Sequence, residues 1–535
     1  VFFVYAKIMS ASVFGIEGRF IEVEVNICSG LPQVTVVGLP DSAVRESVER
    51  VRAAIQNGGM KFPLDRVTIN LAPADLRKEG SAFDLAIAAG ILCASGQVNE
   101  DLLENALFIG ELSLNGTVRT VPGVLPMTEL ARRAGIRRVI VPKAAVAEAS
   151  LISGVEVFGI SSLADWLNGG ADPAPGESGQ RSRAGFDKEK LRSFGSAGRQ
   201  PGFASADDLD LADVVGQEQG KRALLVAASG MHNLLFVGPP GTGKTMLCRR
   251  LPTIMPPLGD EEALEVTKIF SVCGKLGGAS SPGLVRRRPF RTPHHTISAA
   301  GLIGGGSIPK PGEVTLAHHG ILFLDEMPEF SRVCLEALRQ PLEDREVTIG
   351  RARGVCRFPA RFMLAASMNP CPCGFHGGDT TDRPCTCSPA AIARYRARMS
   401  GPLADRLDLQ VQLPRQTAHA PASGGMTSAR AGEIVADAAK RQRLRYAKHG
   451  LQWNSQLQGP LLRKYAKLSP DAEALLQQVY VQLGLSFRAH DRILKISRTI
   501  ADLAGREAIL TEDVAEAINY RSLDHPLEGQ SSGLL

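Results

Sequence analysis

The chain has 535 residues, 44% hydrophobic and 22% charged, an ordinary globular balance with room for about three or four domains. No run reaches the roughly 18 apolar residues of a membrane span, which excludes a helical membrane protein. A net charge of +6 permits a nucleic-acid partner without requiring one.

Residues 1–167 mix strands and helices. The opening VFFVYAKIM runs into alternating pattern at 20–25, so it reads as a first β-strand rather than an export signal. Val44, Val48, Val51 and Ile55 give helical spacing over 43–57, and residues 83–92 form a second, more buried helix. Strands are expected at 139–142 and 155–159. Residues 168–206 are rich in Gly, Ser, Pro and Ala and read as a flexible linker. Residues 207–415 alternate strand, loop and helix, with apolar runs at 233–237, 320–324 and 362–366 that suit buried parallel strands. Residues 427–525 read as helical, with Ser469 and Thr511 as N-caps.

The strongest motif is Gly238-Pro239-Pro240-Gly241-Thr242-Gly243-Lys244-Thr245, set between an apolar strand and a helix. Its glycines let backbone N–H groups curl around phosphates, Lys244 reaches the β and γ phosphates, and the Thr245 hydroxyl ligates Mg²⁺. About 80 residues on, an apolar strand ends in Asp325 and Glu326. Asp325 suits the magnesium shell, and Glu326 suits activation of the attacking water. Asn369, at the tip of the next apolar strand, is placed to reach that water; the alternative is a turn before Pro370.

Ten cysteines in a chain read as cytoplasmic argue against disulfides. Six are scattered, while Cys371, Cys373, Cys385 and Cys387 form C-x-C…C-x-C, which can close a structural zinc site or remain free thiols. His294-His295 and His318-His319 would point to opposite faces if on strands, so packing or pore-loop roles are favoured over metal.

Phosphate loop, acidic strand, polar strand tip and trailing helices together resemble the AAA+ ATPases. Arg291-Thr-Pro-His-His-Thr296, Gly304-Gly-Gly306 and Pro311-Gly-Glu-Val-Thr-Leu-Ala-His-His-Gly320 resemble their magnesium-chelatase branch. Gly15-Ile-Glu-Gly18, Val37-Gly-Leu-Pro-Asp41, 70–80 and Phe83-Asp-Leu85 look like the ComM/YifB family of magnesium-chelatase-like proteins. The resemblance implies an α/β fold. A P-loop parallel sheet with a C-terminal helical lid follows an α+β domain similar to the Lon protease. It also implies Arg406, in Leu403-Ala-Asp-Arg-Leu-Asp-Leu409, as an arginine finger acting on a neighbour's γ-phosphate, and Arg488 as the lid arginine, with Arg492 as alternative.

Gly110–Gly116 and Ala134–Pro142 match recurring Lon strands. In that alignment the catalytic lysine position falls at Leu125 and the serine position at Ala82 beside Ser81, so no Ser–Lys pair exists and proteolysis is disfavoured. Residues 346–358 resemble a β-hairpin carrying Arg351, Arg353 and Arg357, which in ring helicases enters the pore and grips DNA phosphates. Arg286, Arg287, Arg288 and Arg291 form a second basic cluster, and the basic helix 430–448 reads first as a solvated face. The implied function is a homo-oligomeric, hexameric ring that uses ATP and Mg²⁺ as a DNA helicase or branch-migration motor on single-stranded or branched DNA. It would serve recombination and natural transformation. The alternative is a chaperone-like motor that remodels a protein, as in magnesium chelatase.

Overall fold

A computed structural model describes residues 4–75, 78, 80–167, 209–276, 283–306, 309–351, 354–377, 384–415, 425–482 and 484–521. The expected linker at 168–206 lies outside them. The chain divides into two compact units, residues 1–202 with 263–285, and residues 203–262 with 286–535.

The first unit is built on a seven-stranded sheet. β1 (Val4–Phe14), β2 (Glu17–Cys28), β3 (Gln33–Val37), β4 (Arg66–Ala72), β5 (Ala106–Phe108), β6 (Arg138–Pro142) and β7 (Glu156–Ile160) lie in the order β3-β4-β2-β1-β5-β6-β7. β1–β2 and β2–β4 are antiparallel and the other pairings parallel. Alternation decides the faces: Ile21, Val23, Val25 and Ile27 are buried while Glu22 and Glu24 are not. Helix α1 (Ser42–Asn57) starts at Asp41, whose carboxylate accepts from the Val44 amide at 2.8 Å. Helix α2 (Asp84–Ala94) is buried almost all round against β1 and β2. Gly90 sits where a Cβ would stand 2.6 Å from Val25 and 2.7 Å from Ile8, so only glycine allows that approach.

The Asp84 of the Phe-Asp-Leu motif is structural. Burial pushes its carboxyl up to about 6, against two bonds from Arg50 at 2.9 and 3.2 Å. Helix α3 (Val124–Arg133) buries Leu125, whose amide donates to Glu148 at 2.9 Å. Ser81 donates to Glu111. Neither contact involves a lysine that could activate the serine. Residues 263–276 pack into this unit, where Lys268 pairs with buried Glu129 and Ser271 donates to Glu148 at 2.6 Å.

The second unit carries β8 (Leu234–Val237), β9 (Phe290–Arg291), β10 (Ile321–Leu324), β11 (Met363–Met368) and β12 (Leu409–Gln412). Their order is β9-β10-β11-β8-β12, every neighbour parallel. Every residue of β8, β10 and β11 is buried, which is why these strands read as continuous apolar runs. Helix α4 (Glu218–Gly230) precedes β8, and α5 (Lys244–Cys248) follows the phosphate loop. The C-terminal helices are α6 (Ser428–Tyr446), α7 (Pro470–Gln482), α8 (Phe487–Leu503) and α9 (Thr511–Asn519), with α6 and α8 both packed on α4.

Ser469 caps α7 through the Ala472 amide at 3.3 Å. Thr511 does not cap α9: it is the first helical residue, and the Asp513 carboxylate takes the Leu510 amide at 2.8 Å. Arg445 also departs from the solvated face expected of its helix. It turns inward to fully buried Asp502, which Arg498 reaches at 3.0 Å and Asn454 at 2.9 Å. The histidine pairs occupy a loop and a turn rather than strands, and within each pair the rings lie 4.1 Å apart instead of on opposite faces. Among the described residues no helix is long and apolar enough to cross a membrane.

Candidate nucleotide site and the cysteine cluster beside it

Parallel strands deliver the site residues to one sheet edge, because β8, β10 and β11 all end there. The chain leaves β8 at Gly238, where a Cβ would stand 2.5 Å from the Leu413 carbonyl oxygen. Gly241 and Gly243 take φ of +80° and +84°, the left-handed values that close the loop. Lys244 Nζ folds under that loop, donating to the carbonyls of Gly238 at 2.7 Å and Pro239 at 2.8 Å, and to Asn369 Oδ1 at 3.2 Å. Burial pushes the Lys244 ammonium down, while Asp325 and Glu326 hold it charged.

Thr245 Oγ1 donates to Asp325 Oδ2 at 2.9 Å, so the hydroxyl and carboxylate suited to magnesium already touch. Glu326 follows with φ +51°, a left-handed position for a non-glycine residue, and is exposed. Lys244 is therefore bonded to Asn369, and its neighbour Thr245 to Asp325.

Two contributors are absent from the sequence reading. Ser367, on β11, donates to Asp325 Oδ1 at 2.5 Å and accepts from the Glu326 amide at 3.1 Å, tying both acids to the next strand. Its signal was a hydroxyl within an apolar strand. Gln217, at φ +52°, donates to the carbonyls of Thr242 at 3.2 Å and Pro414 at 2.9 Å, clamping the loop from below.

The four cysteines begin two residues after Asn369. Their sulfurs all lie within 4.8 Å of one another, with Cys371–Cys373 at 3.3 Å, Cys371–Cys385 at 3.7 Å and Cys373–Cys385 at 3.6 Å. A tetrahedral zinc with bonds near 2.3 Å needs edges of about 3.8 Å, so the set fits the ion. Burial opposes ionisation of Cys373, but the Phe375 and Thr386 amides carry its thiol down to about 6. At Cys385 the Cys387 amide acts downward, yet burial and the sulfurs of Cys373 and Cys371 push the thiol up to about 12. A cation among the four sulfurs would favour their thiolate forms. The cluster abuts the phosphate loop: at Gly374, φ +86°, a Cβ would stand 2.6 Å from Pro240. Arg396, on the following helix, donates to the Pro370 carbonyl at 3.2 Å.

Arg406 lies before β12, away from the loop edge, bonded to Glu343 and to the Pro402 carbonyl. Arg488 is exposed on the first turn of α8, whereas Arg492 is turned inward to Asp408 at 3.3 Å. The hairpin Glu346–Arg351 and Gly354–Pro359 is formed, with Arg357 exposed opposite Thr348. Arg351 closes its first strand, and Arg353 lies outside the described residues. The 286–291 cluster is not a free phosphate-gripping patch. Arg286 pairs with Asp260 at 2.5 Å, buried Arg288 with Glu262 at 3.2 Å, and Arg291 with Glu313 at 2.6 Å.

Three family profiles match: magnesium chelatase subunit ChlI over residues 210–420, the ChlI subunit of magnesium chelatase over 23–145, and the ChlI C-terminal region over 425–521. The chain is 42% identical over 536 residues to "Competence protein ComM" of Haemophilus influenzae, covering 98% of this chain and 99% of that protein. It is 42% identical over 527 residues to "Uncharacterized protein YifB" of Salmonella typhimurium, 98% of each chain. "Lon protease 2" of Bacillus subtilis is 30% identical over 144 residues, 26% of each chain. Whole-length similarity together with the assembled loop and acidic strand places the chain in the ComM/YifB family of magnesium-chelatase-like AAA+ ATPases.

Proposed function

We propose that this chain is the subunit of a cytoplasmic ring, six-membered by family resemblance, that couples ATP hydrolysis to movement on DNA. The work is helicase or branch-migration activity on single-stranded or branched DNA during recombination and natural transformation. What supports the reading most is the pairing of Lys244 with Asn369 and of Thr245 with Asp325 in a chain 42% identical over 98% of its length to a competence protein.

In this reading, residues 238–245 hold the triphosphate, and Lys244 moves from the carbonyls of Gly238 and Pro239 to the β and γ phosphates. Thr245 and Asp325 hold Mg²⁺, which offsets charge on the phosphates. Glu326 takes a proton from the attacking water, and Asn369 orients it. Arg406 and Arg488 supply positive charge from a neighbour and from the lid. The Lon-protease-like first unit serves as a binding or ring-organising platform.

Arg351, Arg353 and Arg357 on the hairpin meet the DNA backbone, a contact that reads charge and not sequence. Forked DNA is expected to raise ATP turnover and to be unwound. Arg357→Ala is expected to reduce the salt slope of DNA binding by about 1. Turnover indifferent to DNA would reject this reading in favour of the second, a chaperone-like motor acting on a protein. The second reading draws on the three chelatase-subunit profiles.

Cys371, Cys373, Cys385 and Cys387 hold structural zinc. Protein purified under reducing, chelator-free conditions should contain about one zinc per chain. Cys371→Ser should lose it and lower ATPase activity through Asn369, two residues away. Metal analysis without zinc would refute the assignment.

A further inference from the structure

A largely buried ionic junction joins three parts of the second unit at the sheet edge opposite the phosphate loop. Its centre is Asp408, the second residue after Arg406. Asp408 Oδ2 accepts from the Asn233 amide at 3.0 Å and lies 3.6 Å from His232 Nδ1; Oδ1 lies 3.3 Å from Arg492 Nε. Asn233 also fixes the finger segment directly, since its side-chain Nδ2 donates to the Arg406 carbonyl at 2.8 Å. Its Oδ1 accepts from the Leu364 amide at 2.8 Å, so the same side chain aligns β11. His232 closes a second path to the lid through Thr499 on α8, with 2.7 Å between Nε2 and the hydroxyl.

The lid side of the junction is charged. Burial alone would push the Asp408 carboxyl up, but His232, Arg492 and Lys495 hold it ionised at about 2. Arg492 and Lys495 both stand on α8, the helix whose first turn carries Arg488. One carboxylate therefore touches the turn entering β8, the segment bearing Arg406, and the helix bearing Arg488. A rotation of α8 that moves Arg492 must either drag Asp408 or break an ion pair whose side chains are each only 13% exposed, and breaking it is costly.

We propose that Asp408 is a positioning residue through which lid helix α8 sets the placement of Arg406. The proposal rests on the reading of Arg406 as a finger acting on a neighbouring subunit. Asp408→Asn keeps the shape and an acceptor for the Asn233 amide but removes the charge that holds Arg492. Misplacement of a reacting group by about 1 Å can lower a rate on the order of 10²-fold, so turnover should fall about 10- to 100-fold. ATP affinity should stay within about 2-fold, because residues 238–245 are untouched.

The test is carried out with the full-length chain in rings. Asp408→Asn is mixed in turn with Lys244→Ala and with Arg406→Ala, and thermal melts verify folding. Mixing with Lys244→Ala should restore part of the activity, since an intact loop in the Asp408→Asn subunit then meets an intact finger. Mixing with Arg406→Ala should restore nothing, because neither partner supplies a working finger. A folded Asp408→Asn ring with wild-type turnover overturns the proposal, and so does failure of Lys244→Ala to restore it. If Asp408→Asn does not fold, Arg492→Gln replaces it with the same expected pattern. Arg492→Lys, which retains the ion pair, should then keep most of the turnover; loss in both variants overturns the coupling. Wild-type turnover in Arg406→Ala rings overturns the finger reading itself and this proposal with it, an outcome distinct from all the others.

Discussion

Glu326→Gln rings are expected to bind ATP almost as the wild type does and to lose hydrolysis by on the order of 10²- to 10⁴-fold, the usual contribution of a general base. The geometry separates its work from that of its neighbours. Asp325 is occupied by Thr245 and Ser367, whereas the Glu326 amide alone is tied to Ser367 and its residue is exposed. Its left-handed backbone turns the chain sharply after β10. Glutamine preserves that shape and only removes the base. Lys244→Ala should fail differently. Losing a charge-assisted contact of about 1.5–3 kcal/mol weakens nucleotide binding roughly 10- to 100-fold. Equilibrium binding of a fluorescent ATP analogue, paired with single-turnover hydrolysis, distinguishes the two variants. Near-normal hydrolysis in Glu326→Gln would remove it from the mechanism.

The parts of this site that were legible are those carried by local chemistry. A glycine-rich turn between an apolar strand and a helix, and a strand ending in two acids, are encoded within a few residues. Parallel strands buried on both faces leave unbroken apolar runs, which is why the strands at 234–237, 321–324 and 363–368 were found nearly to the residue. What escaped depends on contacts distant in sequence. Ser367 acts on Asp325 across 42 positions, and Gln217 on Pro414 across 197. The 286–291 arginines read only as a basic cluster because a charge run does not reveal that Glu262 and Glu313 will meet it. Arg445 looked solvated because Asp502 lies 57 positions away. The proximity of the cysteine loop to Pro240 was equally hidden, since only the folded chain brings Gly374 there.

Arg406→Ala should abolish most turnover in a way that a different mutant subunit can repair. Register is what supports the proposed action of this residue on a neighbour. β8 and β12 run parallel with Leu234 beside Leu409 and Val237 beside Gln412. Asn233 bonds to the Arg406 carbonyl at the entry of these strands, while Gly238 stands at their exit. Five residues of extended chain separate the two ends by about 16 Å. An arginine anchored at the entry edge stands far from the loop of its own chain, where it is held by Glu343 and the Pro402 carbonyl, and under the proposed function it would serve the loop of a neighbour. An arginine inserted at a γ-phosphoryl is worth ~10³-fold or more in rate. Arg406→Ala and Lys244→Ala rings should each be nearly inactive. Mixed rings contain interfaces in which an Arg406→Ala subunit offers its intact loop to the intact finger of a Lys244→Ala neighbour. ATP turnover should rise with the fraction of such interfaces and peak near equal mixing. A flat response across all ratios, or wild-type turnover in Arg406→Ala alone, would show that another arginine meets the phosphate.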